Sequence, residues 1–140
     1  MQNNNKSWWN NTPMTYDWHQ TIKTSKYSPE WFDEIDRRFI YGARLFATDQ
    51  IPFDRLIPYQ QLQGKRVLEI GCGMGLHTEL LCKSGALVTA IDITEESVTA
   101  TKARLQQKGL SADVICADAE SIDFQPESFD FIWSWGVIHH

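Results

Sequence analysis

The run Glu69-Ile70-Gly71-Cys72-Gly73-Met74-Gly75 has the residue types and spacing of a ligand cradle. Glycines turn the backbone sharply and let a ligand approach the main chain with no Cβ in the way. The spacing discriminates between ligands. A dinucleotide fingerprint, G-x-G-x-x-G/A, needs a small residue five places after its first glycine, and that place holds Leu76. The pattern present is G-x-G-x-G, with the acidic Glu69 two places ahead of it. Further acidic residues, Asp92, Asp118 and Glu120, follow at intervals, and the chain ends in His139 and His140. A histidine can take up a proton near neutral pH, so a general base and a residue that merely positions substrate are both open readings of that pair. Two adjacent histidines without partners make a poor metal site. Cys72 is read as a small loop residue, and Cys82 and Cys116 as core residues. No C-x-x-C pair occurs, which fits reduced thiols in a cytosolic protein.

These residues need elements to position them, and the pattern from Gly64 onward supplies alternating strands and helices. Arg66 to Ile70 reads as a short apolar strand that runs straight into the glycines. Gly75 to Lys83 has helical spacing in Leu76, Leu80 and Leu81, and stops at Gly85. Leu87 to Ile91 is a second strand, closed by Asp92. Thr94 is an N-cap with Glu95 and Glu96 in the first turn of a helix reaching Gln107 and stopping at Gly109. Asp113 to Ala117 is a third strand, Pro126-Glu127-Ser128 a turn, and Phe129 to Trp135 a fourth strand. This order implies right-handed crossovers and a Rossmann-like, doubly wound parallel α/β sheet. In such sheets ligands bind beyond the carboxyl ends of the strands, where strand order reverses.

The acidic residue before G-x-G-x-G, in this setting, resembles the first motif of class I S-adenosylmethionine-dependent methyltransferases. The likeness spans Lys65 to His140, with four motifs in order. It implies S-adenosyl-L-methionine as cofactor, cradled by Glu69, Gly71, Cys72, Gly73 and Gly75. Asp92, with Ile93 beside it, would take the ribose hydroxyls through two charge-assisted hydrogen bonds. Asp118 would accept from the adenine amino group, with Glu120 as the other candidate, and the Ala119 amide would donate to the ring. Trp135, at the end of the fourth strand, would pass the methionine portion. His139 and His140 would lie on the acceptor face. A sulfonium is already a good leaving group, so the protein's tasks are alignment and exclusion of water. The family's sheet normally has seven strands, whereas this chain stops after the fourth. The expectation is therefore a piece of a longer protein, or an open sheet edge covered by another chain, through which the protein would self-associate.

The first half differs in texture. Twelve of the seventeen aromatic residues precede Gln63. Residues 1–27 read as a polar, flexible segment whose Asn-rich start is frayed. Residues 28–63 read as a helical cap, and 64–140 as the cofactor-binding domain. Ser28 is a candidate N-cap and Pro29 the first helical residue. Phe32, Ile35, Phe39, Gly42 and Phe46 continue an amphipathic helix to near Ala47. This half is read as a layer packed on the main domain whose aromatic side chains, Trp18, Tyr16 and Tyr27 among them, also cover an acceptor pocket. Net charge is −5. Residues 1–63 carry seven basic and seven acidic side chains, and residues 64–140 six against eleven. That balance disfavours a nucleic-acid partner and suits a small-molecule acceptor. No apolar run is long enough for a spanning helix, so a membrane partner is not expected. A nicotinamide-cofactor oxidoreductase, a non-catalytic cofactor-binding domain and an aminopropyl transferase are the competing readings.

Overall fold

The computed structural model describes residues 2–16, 20–48 and 51–137. Four parallel strands form one sheet in the order β3-β2-β1-β4: β1 (Arg66–Ile70), β2 (Leu87–Asp92), β3 (Asp113–Cys116) and β4 (Phe131–Ser134). The chain therefore winds outward from β1 to β3, then returns to pair β4 on the other side of β1. That reversal places the switch point between β1 and β4, beside the glycine loop. Register runs Ile70 against Ile91 and Ser134, and Asp92 against Cys116, so all four carboxyl tips face one end.

Helix α3 (Leu76–Lys83) follows the glycine loop, and α4 (Glu95–Gln107) follows β2. Thr94 caps α4 as expected, its side chain accepting from the Ser97 amide at 3.2 Å. In the first half, α2 (Pro29–Gly42) starts at Ser28, whose hydroxyl accepts from the Trp31 amide. Regular helix stops at Gly42, earlier than the apolar spacing suggests. There the backbone tightens into a 3-10 turn over Arg44–Phe46, with Phe46 N–H on the Ala43 carbonyl. The outer strands are shorter than the apolar runs: β3 ends at Cys116, and β4 begins at Phe131. The chain is steered into β4 by the Asp130 amide on the Arg66 carbonyl and the Arg66 amide on the Asp130 carboxylate.

One expectation is overturned at the start of the chain. Residues Gln2–Asn11 form a helix, α1, where a frayed terminus was expected. Asparagine is a poor helix former and no capping residue announces this segment. It is held by its own ladder, extended by Thr12 N–H on the Trp8 carbonyl and the Asn11 side chain on the Ser7 carbonyl.

The main core joins both halves. Ala43, Phe53, Ile57 and Leu62 pack in one cluster with Val67, Leu81, Val88, Val98 and Trp133. Phe53 and Ile57 are each 1% exposed, and such burial stabilises by about 2 kcal/mol per side chain. A second cluster joins Trp31, Phe32 and Ile35 of α2 to Ala100 of α4 and to Met74 of the glycine loop. Packing from the aromatic half thus reaches the loop itself. No helix among the described residues is long and apolar enough to cross a membrane.

Candidate functional site

The glycine loop leaves β1 with its first two amides, Gly71 and Cys72, both on the Ile91 carbonyl of β2, at 2.8 and 3.1 Å. Three left-handed glycines then carry it into α3, and each is small for a different reason. Gly71 (φ +80) faces Val137, and a Cβ there would stand 2.1 Å from a Val137 methyl. The chain leaving β4 thus rests on the loop's first glycine. Gly75 (φ +87) lies against Thr101 of α4, where a Cβ would stand 3.0 Å from the Thr101 hydroxyl. Among the described residues, nothing lies within 4 Å of the missing Cβ of Gly73 (φ +52), so of the three glycines only the middle one meets no described neighbour.

Asp92 gathers the loop to the tip of β2. Its Oδ2 accepts from the Gly73 amide at 3.0 Å, and its Oδ1 from the Thr94 amide and hydroxyl, each at 3.0 Å. The side chain is half-buried and Ile93 beside it is likewise part-exposed. At the tip of β3, Asp118 caps the 3-10 turn Ala119–Ser121 by accepting from the Glu120 amide at 2.9 Å. Asp118 is part-exposed, and Ala119 and Glu120 are exposed. At the tip of β4, Trp135 stacks on Trp133 at 5.9 Å and meets Phe46 and Phe53 edge-on at 5.1 and 5.4 Å. Gly71, Cys72, Gly73, Gly75, Asp92, Ile93, Asp118, Ala119, Glu120 and Trp135 therefore all sit at the carboxyl end of the sheet. His139 and His140 lie outside the described residues, as does Trp18.

Glu69 takes a supporting place. It is 1% exposed and turned toward α3, where its carboxyl accepts from the Thr78 hydroxyl. Burial pushes its pKa up to about 8; the Thr78 bond opposes that rise and the charge of Asp92 adds to it. His77 Nδ1 lies 4.0 Å away. Burial, with the nearby Arg104 charge, drives the imidazole down to about 3, so the ring is neutral and the contact is no ion pair. The ring packs edge-on against Phe53 at 4.4 Å and Trp133 at 5.2 Å. Cys72 is also buried, its sulfur facing the Thr101 hydroxyl at 3.5 Å, and burial raises its thiol well above the ordinary value. Its backbone forms part of the loop, with the amide on the Ile91 carbonyl. A nucleophilic thiolate has no support there.

Four residues of this arrangement escape a reading of motifs alone: His77, Thr78, Thr101 and Arg104. Thr101 and Arg104 stand three apart on α4, the spacing that puts two side chains on one helix face, and both reach the loop. Among the described residues no group of three or more His, Cys, Asp or Glu could hold a metal ion.

The chain matches the model of the methyltransferase domain family over residues 67–140. It is 31% identical to a ubiquinone biosynthesis O-methyltransferase of Roseobacter denitrificans over 134 residues, covering 90% of this chain and 54% of that protein. A protein of the same name from Methylocella silvestris is 34% identical over 98 residues, 70% of this chain and 38% of that one. The chain thus spans between about a third and a half of the length of these relatives. Among solved structures, the magnesium protoporphyrin IX methyltransferase of Synechocystis PCC 6803 aligns with a TM-score of 0.58 at 17% identity. That alignment covers 97% of this chain and 58% of the other, and the likeness is one of fold. The strand order, the glycine loop at the switch point and the match over the α/β half converge: the chain belongs to the class I S-adenosylmethionine-dependent methyltransferase family.

Proposed function

We propose that the protein binds S-adenosylmethionine at the carboxyl end of β1 and β2 and transfers its methyl group to a small-molecule acceptor. The observation that carries this reading is the pairing of an open Gly73 with Asp92. The glycine's side-chain direction meets no described residue, its amide points to the carboxylate, and both lie at the carboxyl end of the sheet, beside the switch point. The residues fit an adenosyl ligand. Gly71, Gly73 and Gly75 offer main chain without a Cβ, and Asp92 offers a carboxylate one strand away for vicinal hydroxyls. Asp118 and the Ala119 amide, or Glu120 in place of Asp118, stand at the next tip for a base. Trp135 and Ile93 supply apolar walls. Glu69 supports the loop from beneath through Thr78.

The bound cofactor would supply an activated methyl group with a ready leaving group, so little acid–base chemistry is asked of the chain. The protein's own contribution is alignment and exclusion of water, which the aromatic set Phe46, Phe53, Trp133 and Trp135 is suited to. His139 and His140 are the candidates for a proton acceptor where the acceptor must lose a proton. The even charge of the first half and the excess of acidic groups in the second favour a small, uncharged or cationic partner over a nucleic acid. Three unpaired thiols favour a reducing, cytosolic setting.

Parallel calorimetric titrations with S-adenosylmethionine, S-adenosylhomocysteine and NAD test the reading. The expected result is binding of the two sulfur compounds and none of NAD. Binding of NAD alone overturns it in favour of an oxidoreductase.

A further inference from the structure

One buried cation links the aromatic half to the glycine loop. Arg104, on α4, is 2% exposed. Its Nε donates to Glu79 of α3 at 2.5 Å, and its Nη1 donates to Asp36 of α2 at 2.8 Å. Its Nη2 completes the fork on the second Asp36 oxygen. The same Nη1 lies 3.4 Å from the carbonyl of Met74, the residue between Gly73 and Gly75. One guanidinium face stands over the Phe32 ring, 5.5 Å from its centre. Met74 is thus fixed at two points. Its side chain is buried among Trp31, Phe32 and Ile35 of α2, and its carbonyl faces the guanidinium that α2 holds through Asp36.

The geometry of Met74 fixes where the neighbouring amides point. Gly73 and Gly75 are both left-handed, and a loop of such residues has no side-chain bulk of its own to hold it. Arginine suits the hub because its planar fork can bind one carboxylate with two parallel N–H groups and keep others for a second carboxylate and a carbonyl. Around the same face of α4, Tyr27 donates to Glu96 at 2.9 Å, Lys26 pairs with Glu96, and Gln107 reaches the Tyr27 carbonyl. Residues 26–36 are therefore seamed to α4 along its length.

We infer that Arg104 is a positioning residue: through Asp36 and Met74 it makes the shape of the glycine loop depend on the docking of α2, so that the first half of the chain sets cofactor affinity. This inference rests on the cofactor reading above. Removal of the arginine side chain strands two carboxylates and threatens folding, so the informative variants are Asp36→Asn, which keeps shape and loses charge, and Arg104→Lys, which keeps charge and loses the fork. The intact protein is labelled at its methionine methyl groups, of which there are three, and titrated with S-adenosylhomocysteine. In both variants the Met74 methyl signal moves away from its ring-shifted position and the dissociation constant rises about five- to tenfold, while hydrogen exchange in β1 and β2 stays within twofold. The inference is overturned by an unmoved Met74 signal, by a moved signal with unchanged affinity, or by exchange that quickens equally across the sheet. Failure of the wild-type protein to bind S-adenosylhomocysteine sinks the cofactor reading first, and this inference with it; the wild-type titration separates that failure from the others.

Discussion

The glycine loop is held by unlike materials on its two sides. From the sheet it is held through its own amides: two on the Ile91 carbonyl and one on the Asp92 carboxylate. From the first half of the chain it is held by aromatic packing on Met74 and by one guanidinium. The first attachment joins residues about twenty apart and follows from strand pairing. The second joins Asp36 to Arg104, sixty-eight residues apart, and depends on two side chains that only the tertiary fold brings together. Main chain sets where the loop begins, and side chains set how its middle is presented.

The two attachments separate most clearly at two of the glycines. Gly71→Ala drives a methyl group into Val137 at a left-handed position, and should destabilise by about 2–4 kcal/mol in urea unfolding. Gly73→Ala meets no atom of the described residues and should cost only about 1 kcal/mol, while weakening S-adenosylhomocysteine binding more than Gly71→Ala does per unit of stability lost. The reverse ranking would mean that the open space is not the ligand side. Asp92→Ala removes the acceptor at the strand tip and should weaken the same ligand by about thirtyfold in calorimetry, the loss of one to two charge-assisted hydrogen bonds. Affinity within threefold of wild type would detach Asp92 from the site.

A smaller effect lies beneath the loop and is read as stability against pH. The folded protein keeps the Glu69 proton to about pH 8, whereas the unfolded chain releases it near 4.5, so stability drains as pH rises across that window. His77 acts oppositely. The unfolded ring gains a proton below 6.5 and the folded ring resists to about 3, so stability is lost as pH falls through that range. The two cancel between 4.5 and 6.5, and a decline of about 2 kcal/mol is expected from pH 6.5 to 8. Glu69→Gln, which mimics the protonated form, should flatten it; a decline that persists would assign it elsewhere. Last and least, Trp8 on α1 is 61% exposed, and Trp8→Ser should shift stability by no more than about 0.5 kcal/mol in thermal unfolding.

The α/β half was legible because its signals are local. Thr94 caps its helix where a hydroxyl precedes two glutamates, and Asp92 closes β2 at the point where the apolar run ends. Gly71 to Gly75 announce their turn by composition alone. Yet the reason for Gly71 lies sixty-six residues away in Val137, and no local pattern reveals it. Glu69 was legible as part of the loop but not as a group beneath it, because strand alternation alone does not say which face α3 covers. Arg104 resembles any charged residue on a helix until Asp36 and Glu79 are brought to it. The helix at Gln2–Asn11 has neither cap nor apolar stripe, so propensity argued against it.

Glu69 stays uncharged at neutral pH, and that changes what the acidic letter of the motif contributes. It acts as a neutral peg, shaped to take the Thr78 hydroxyl, and adds no field of its own. The electrostatic pull on a positively charged guest at this end of the sheet would therefore fall to Asp92, with Asp118 and Glu120 at the next tip, and the Asp92 carboxylate already leans on the loop. An arriving ligand and the Gly73 amide would compete for the same oxygen, making the loop's grip on that strand tip a tunable counterweight to binding.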